Sequence, residues 1–254
     1  MPDFSGDLVC SLCSYIASLQ SDWLHRKSEV LTAEIKADVL DSLRQIAAAC
    51  KKFGVTTVST YIQDALPAVE SAPAGWNFKD LHNLFGNLHL MIRAEMKQVK
   101  FFMIAKNNAQ YFGEPKLFGD KVFNNFRSAD EDIAEAGNCL ALGRSTACVM
   151  HLARTVEVGL QSLASNLGIG KQNDWGSYLR KTEEELLKRL KVSGARSSTE
   201  QFYSEARITF DAMRRAWRNP TMHVDKTYSQ DRAEEIFISV RSFMKHLAEG
   251  GLSE

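Results

Sequence analysis

Six consecutive residues near the end of the chain combine side chains that are suited to phosphate chemistry. They read Arg218-Asn219-Pro220-Thr221-Met222-His223. Arginine keeps its charge at any working pH and offers paired donors to phosphate oxygens, whereas histidine can transfer protons near pH 7. Pro220 has no N–H and clashes with the carbonyl four residues earlier, so we expect the helix to kink or restart there. This segment is the strongest candidate for a functional site.

The spacing between the arginine and the histidine carries little information by itself, since Arg241 and His246 repeat it. That second pair lies in an amphipathic segment with one apolar stripe. Residues five apart on a straight helix differ by about 140° of rotation, so this pair need not meet. The 218–223 segment differs because Pro220 interrupts the helix. A structural alternative stays open, in which Asn219 caps a new helix that begins at Pro220 and both charged residues are ordinary surface residues.

Length and composition indicate a folded protein without an extended charged surface. The chain has 254 residues, of which 44% are apolar, enough for one large or two ordinary domains. Basic and acidic residues are equal at 31 each. This balance argues against a protein that coats nucleic acid nonspecifically, but it leaves room for a local basic cluster. Such a cluster consists of Arg214, Arg215, Arg218 and Lys226.

Five scattered cysteines do not resemble a disulfide framework. They are Cys10, Cys13, Cys50, Cys139 and Cys148. Their odd number and wide spacing predict buried free thiols in a reducing compartment, and therefore a cytoplasmic protein. No second ligand pair follows Cys10 and Cys13 at zinc-finger spacing, so we expect neither a metal nor a cofactor. The chain shows no signal peptide and no apolar run of 18 residues, so we expect no membrane association.

Apolar residues recur at helical period along most of the chain, which predicts an all-α fold. The turn-rich, aromatic segment 111–119 separates a helical N-terminal region, 1–115, of unknown role from a helical domain, 125–254. One short strand is predicted at 99–104. The predicted helices cover residues 7–25, 29–52, 56–70, 77–98, 129–142, 144–167, 175–192, 199–217 and 229–248. On the face of the sixth helix, His151, Arg154 and Glu157 are expected to be solvated or paired within the chain.

The second half of the chain, from about 129, resembles the HEPN superfamily (higher eukaryotes and prokaryotes nucleotide-binding). The resemblance is carried by a helical bundle and by an early segment, 139–147, that reads CLALGRSTA. It is also carried by the Arg-polar-x-x-x-His motif at 218–223, which stands just before the last helix. The first half resembles no family that we can name.

The resemblance implies a metal-independent endoribonuclease in which the 2′-hydroxyl of RNA attacks the adjacent phosphate. His223 would act as general acid or base, Arg218 would stabilise the phosphate, and Asn219 would orient the histidine or a phosphate oxygen. Arg214, Arg215 and Lys226 would hold the RNA backbone. HEPN domains often form homodimers that unite two motifs, and a role in phage defence or stress, with an antitoxin or defence partner protein, would fit.

The alternative is a HEPN-like module without catalysis that binds a nucleotide or a protein. Many toxin-like members of the superfamily have tyrosine two residues after the histidine, and this chain has Asp225 there. An acid at this position would repel a phosphate, or it would orient the imidazole. Cleavage and binding without cleavage therefore both stay open at the level of the sequence.

Overall fold

A computed structural model of the chain describes residues 14–18, 21, 32–52, 54–71, 77–98, 103–223 and 225–254. Regular structure within these ranges is helical and includes no β-strand, which confirms the all-α prediction. Of the predicted strand at 99–104, only residues 103 and 104 lie in the described part, and they are neither strand nor helix. The chain divides into two compact units, Met1–Phe101 and Phe102–Glu254.

The first unit contains three long helices in its described part. They are α1 (Ala33–Lys52), α2 (Thr56–Glu70) and α3 (Phe78–Met96). Helix α2 packs against both α1 and α3, and Leu43, Ile46 and Phe85 are fully buried. Residues 14–18 are helical, and the rest of the predicted helix at 7–25 lies almost entirely outside the described residues. The predicted range 56–70 and the predicted end at 52 agree with the structure, and the predicted range 77–98 agrees to within two residues.

The second unit consists of helices joined by short turns. The long ones are α5 (Asp130–Ala141), α6 (Ser145–Asn166), α7 (Trp175–Ser193), α8 (Ser198–Met213) and α10 (Gln230–Glu249). The short ones are α4 (Asp120–Asn125) and α9 (Asn219–Thr221), with 3₁₀ turns at Lys106–Tyr111 and Arg127–Ala129 and a π turn at Arg214–Arg218. The helices predicted for this region agree with the observed bounds to within about two residues, apart from the π turn.

Helix α6 is the centre of the second unit. It packs against α5, α7, α8 and α10, and Leu152, Leu160 and Leu163 on it are fully buried. At Gly159 an added Cβ would lie 2.9 Å from a methyl carbon of Leu247, so a larger residue there would require the Leu247 side chain to move. Helices α6 and α10 therefore pack closely, and the end of α8 and the π turn that follows it pack against α6.

The division between the units falls earlier than the boundary predicted from the aromatic segment 111–119. Tyr111 and Phe118 are both buried in the core of the second unit. Each makes an edge-on ring contact with Phe237 of α10, with ring centroids 5.3 Å apart. Because these aromatic residues bury large apolar surfaces, the segment belongs to the second unit and is not a linker.

Cysteines in the described part of the chain behave as small buried apolar residues. Cys50, Cys139 and Cys148 are buried free thiols. Burial raises the pKa of the Cys148 thiol to about 12, so it stays protonated and unreactive at neutral pH. Cys10 and Cys13 lie outside the described residues.

Candidate functional site

The candidate motif lies where α8 widens into the π turn and then ends. The backbone N–H of Asn219 donates to the carbonyl of Arg214, five residues earlier. In a regular α-helix Pro220 would leave the carbonyl of Ala216 without a donor and press its ring against it. A wider turn is a common response to such a conflict, and π turns are often found at functional sites. The helix therefore continues through the motif instead of stopping before it.

The structure does not support the alternative in which Asn219 caps a new helix. Asn219 itself has helical backbone angles, φ −65° and ψ −49°, and no side-chain cap begins α9. Pro220 follows the π turn and stands inside this continuous helical segment. Arg218 and Asn219 thus belong to a single helix end that leads directly to His223.

Buried hydrogen bonds hold this helix end in place. The Thr221 hydroxyl donates to the carbonyl of Trp217 over 2.6 Å and lies 2.8 Å from the Tyr228 hydroxyl. Thr221 is only 6% exposed. The Tyr228 backbone N–H donates to the Thr146 hydroxyl on α6 over 3.2 Å. The loop that carries His223 is therefore attached at both of its ends.

Arg218, in the π turn that follows α8, lies half-buried near the indole ring of Trp175 at the start of α7. Its guanidinium carbon is 6.0 Å from the ring centroid of Trp175. The Trp175 indole N–H donates to a carboxylate oxygen of Glu157 over 2.8 Å, which fixes the ring. Below Arg218, a hollow lined by Trp175 and Trp217 has a volume of only about 10 Å³. This is about the space of one water molecule, so a nucleotide would have to bind on the outer surface.

His223 and Asn219 are both exposed at the end of the helix. Within the described residues, neither side chain forms a hydrogen bond or an ion pair. Asp225 is also exposed, and no ion pair joins it to His223 in the described part of the chain. The imidazole is therefore accessible to a substrate from solvent.

The residues that are predicted to bind the RNA backbone differ in whether an acidic side chain neutralises their charge. Arg214 and Arg215 both contact Asp211, one turn earlier, with closest N–O distances of 2.8 Å. Burial raises the pKa of Asp211, but hydrogen bonds from both arginines outweigh it and leave that pKa below its ordinary value. Lys226 is exposed, with its ammonium 5.3 Å from the centroid of the Tyr228 ring. Asp211 therefore neutralises the charge of one of the two arginines. The net positive charge of the predicted cluster is reduced but not abolished.

The polar face of α6 is paired within the chain, as the sequence predicted. His151 Nδ1 lies 2.9 Å from Asp132 Oδ1. Arg154 Nε donates to both oxygens of Asp132, over 2.8 and 2.9 Å. Glu157 does not join them, because it accepts from the indole of Trp175. Sequence reasoning missed Asp132 because it lies on α5, 19 residues before His151.

None of the helices in the described ranges is both long and apolar enough to cross a membrane. No protein-family model, curated protein or solved structure matches the chain. Its function therefore has to be argued from the geometry of the site and from the motif.

Proposed function

We propose that this protein is a metal-independent endoribonuclease of the HEPN type, with its active site at Arg218, Asn219 and His223. The observation that carries the proposal is the availability of these side chains at the widened end of one helix. In the described part of the chain, neither Arg218 nor His223 has a carboxylate partner, whereas the neighbouring Arg214 and Arg215 share Asp211. A cation and an imidazole that stand five residues apart and lack carboxylate partners suit a phosphodiester substrate.

The chemistry follows from these two groups. The 2′-oxygen of the RNA forms a bond to phosphorus while the bond from phosphorus to the 5′-oxygen breaks. His223 accepts the proton of the 2′-hydroxyl or donates one to the leaving 5′-oxygen. Arg218 donates hydrogen bonds to the non-bridging oxygens as their charge changes in the transition state. The products are a 2′,3′-cyclic phosphate and a 5′-hydroxyl end.

Each chain supplies one motif histidine, His223, which can act as the base or as the acid. The reaction uses both a base and an acid. A homodimer that brings two copies of the motif into one cleft would supply two imidazoles. It would also bring together two sets of Arg214, Arg215 and Lys226, which would hold the RNA backbone in a protein of zero net charge. A phage-defence or stress role in the cytoplasm, with an antitoxin or another defence protein as partner, agrees with such an activity.

Cleavage of labelled RNA in the presence of EDTA tests the proposal. Single-stranded and structured RNAs are incubated with the wild type and with Arg218→Ala and His223→Ala. The loss of one well-placed electrostatic donor costs about 10²–10³ in rate, so both variants should fall to near background. Product ends are analysed for the cyclic phosphate.

The chain contains its own matched control. Arg241 is half-buried and His246 is exposed, as are Arg218 and His223, and the spacing is identical. Arg241→Ala and His246→Ala should therefore cleave RNA like the wild type. Intact RNA with every protein, or equal cleavage by the wild type and both motif variants, would refute the nuclease proposal.

A binding module without catalysis is the second candidate, favoured by the exposed Asp225 two residues after His223. Its negative charge opposes the approach of a phosphate to the imidazole but leaves Arg218 available. Such a module would be stabilised by nucleotides in a thermal-shift assay and would leave RNA intact. Asp225→Asn separates the candidates, because it should increase cleavage by a nuclease and create none in a binding module.

A further inference from the structure

Three side chains with metal-binding atoms meet between α5 and α6, away from the motif in sequence. Glu135 and Cys139 are four residues apart on α5, so they share one face of that helix. His151 extends from α6, which packs against α5. One carboxylate oxygen, the thiol sulfur and one ring nitrogen all lie within 4.8 Å of one another.

The imidazole of this cluster is held from behind by a carboxylate on a neighbouring helix, as histidine ligands of metal sites usually are. His151 Nδ1 is 2.9 Å from Asp132 Oδ1, which assigns the donated proton to Nδ1 and leaves a lone pair on Nε2. Asp132 is buried and is fixed in turn by Arg154, which donates to both of its oxygens. A carboxylate behind the histidine is the usual second layer of a zinc site, where it sets the tautomer and raises the basicity of the ligand.

The Glu135 carboxylate is held by a hydrogen bond and has room to move. Glu135 Oε1 accepts from the Asn138 side-chain amide over 3.0 Å, which leaves Oε2 for a metal. Asn138 accepts in turn from the backbone N–H of Gly113 over 3.0 Å. Ligand atoms of a tetrahedral zinc site are about 3.3–3.8 Å apart, given bonds of 2.0–2.3 Å. Glu135 is exposed, so its side chain has room to move toward the other two ligand atoms.

We propose that Glu135, Cys139 and His151 bind one divalent transition-metal ion, with zinc as the best match. A thiolate, an imidazole and a carboxylate are a borderline-soft set that suits zinc or cobalt better than magnesium or calcium. The thiolate and the carboxylate together neutralise the ion. Three protein ligands leave a fourth position for water on the exposed side of Glu135. The proposal does not rest on RNA cleavage.

Binding requires the release of the thiol proton. Burial and then the charge of Glu135 raise the pKa of the Cys139 thiol, while Arg144 lowers it, and the net direction is upward. A metal ion therefore has to displace this proton, as is general for cysteine ligands. Ion binding should therefore release protons, which calorimetry in buffers of different ionisation enthalpy can detect.

Cobalt(II) titration of the full chain tests the site directly, since a thiolate ligand gives a charge-transfer band in the near ultraviolet. Cys10 and Cys13 could produce such a band by themselves, so the titration is performed on the wild type and on a Cys10→Ser/Cys13→Ser background. We expect one equivalent of cobalt to produce the band in both, and zinc to abolish it by displacement. Zinc should also raise Tm with increasing concentration.

Variants assign the ligands. In the background protein, Cys139→Ser should remove the band, whereas Cys50→Ser, which changes a buried thiol on α1, should keep it. Glu135→Ala changes an exposed residue and should fold normally, with cobalt affinity lowered at least about tenfold. Three results would each overturn the proposal. The band could be absent at one equivalent of cobalt, it could be lost in the background protein, or it could persist in Cys139→Ser. Circular dichroism of every variant verifies folding.

Discussion

Thr221→Val tests how the helix end that carries the motif is held. Valine has nearly the same shape as threonine, so the change removes the hydroxyl with little loss of volume. The wild-type hydroxyl contacts the Trp217 carbonyl at 2.6 Å and the Tyr228 hydroxyl at 2.8 Å. Both contacts are shielded, because Thr221 is 6% exposed. The substitution therefore isolates two buried hydrogen bonds.

The magnitude follows from those two bonds. Each buried hydrogen bond contributes about 0.5–1.5 kcal/mol net. The Tyr228 hydroxyl also donates to the Trp217 carbonyl over 3.4 Å, so that carbonyl keeps one donor when Thr221 is replaced. We expect a loss of about 1–2 kcal/mol in the free energy of unfolding. For a unit of this size this lowers Tm by about 2–8 °C.

Differential scanning calorimetry measures the change in Tm, and amide hydrogen exchange in α10 assigns the transition to the second unit. Tyr228→Phe should cost a similar amount. The double variant should lose less than the sum of the two single variants by about 1 kcal/mol, because their hydroxyls interact directly. If the anchor positions the motif, RNA cleavage should also fall in Thr221→Val.

Thr182→Val provides the matched control, since it makes the same chemical change at another buried threonine. Thr182 is fully buried, and its hydroxyl has no hydrogen-bond partner among the described residues. Removal of an unsatisfied buried hydroxyl should be neutral or stabilising. Equal destabilisation by Thr182→Val, or an unchanged Tm for Thr221→Val, would refute the reasoning.

Three further predictions address packing, thiol reactivity and charge. In Gly137→Ala the new Cβ would lie 2.5 Å from the Tyr111 carbonyl oxygen, so urea unfolding should show a loss of about 1–3 kcal/mol; Gly170→Ala, which has open space around it, should be neutral. Since the pKa of Cys148 is about 12 against an ordinary 9.0, alkylation at pH 8 should be about 10³-fold slower in the native than in the unfolded protein; equal rates measured by mass spectrometry would contradict its burial. Asp211→Asn releases its two arginine partners, so RNA affinity should rise and its salt dependence should steepen by about one phosphate contact; an unchanged salt slope would show that these arginines do not touch the RNA.

The sequence determined the helices because the signals that define a helix are local. Apolar period and caps lie within one segment, so the segment can be read by itself. The last helix was predicted to begin at 229, and the Ser229 hydroxyl caps it by accepting from the Arg232 backbone N–H over 3.3 Å. The effect of Pro220 was predicted as a kink or restart, since its missing N–H is a property of the residue. The choice of a π turn over a new helix was not predictable in this way.

Tertiary structure alone decided which side chains of the site are available and which are paired. Asp132 and His151 stand 19 residues apart and meet only because α5 packs on α6. The segment 111–119 was predicted as a boundary because it is rich in turn residues, yet its Tyr111 and Phe118 are buried in the core of the second unit. The availability of Arg218 and His223 is likewise a property of the fold. Residue type and spacing determine which contacts are possible, and the packing of distant segments decides which of them form.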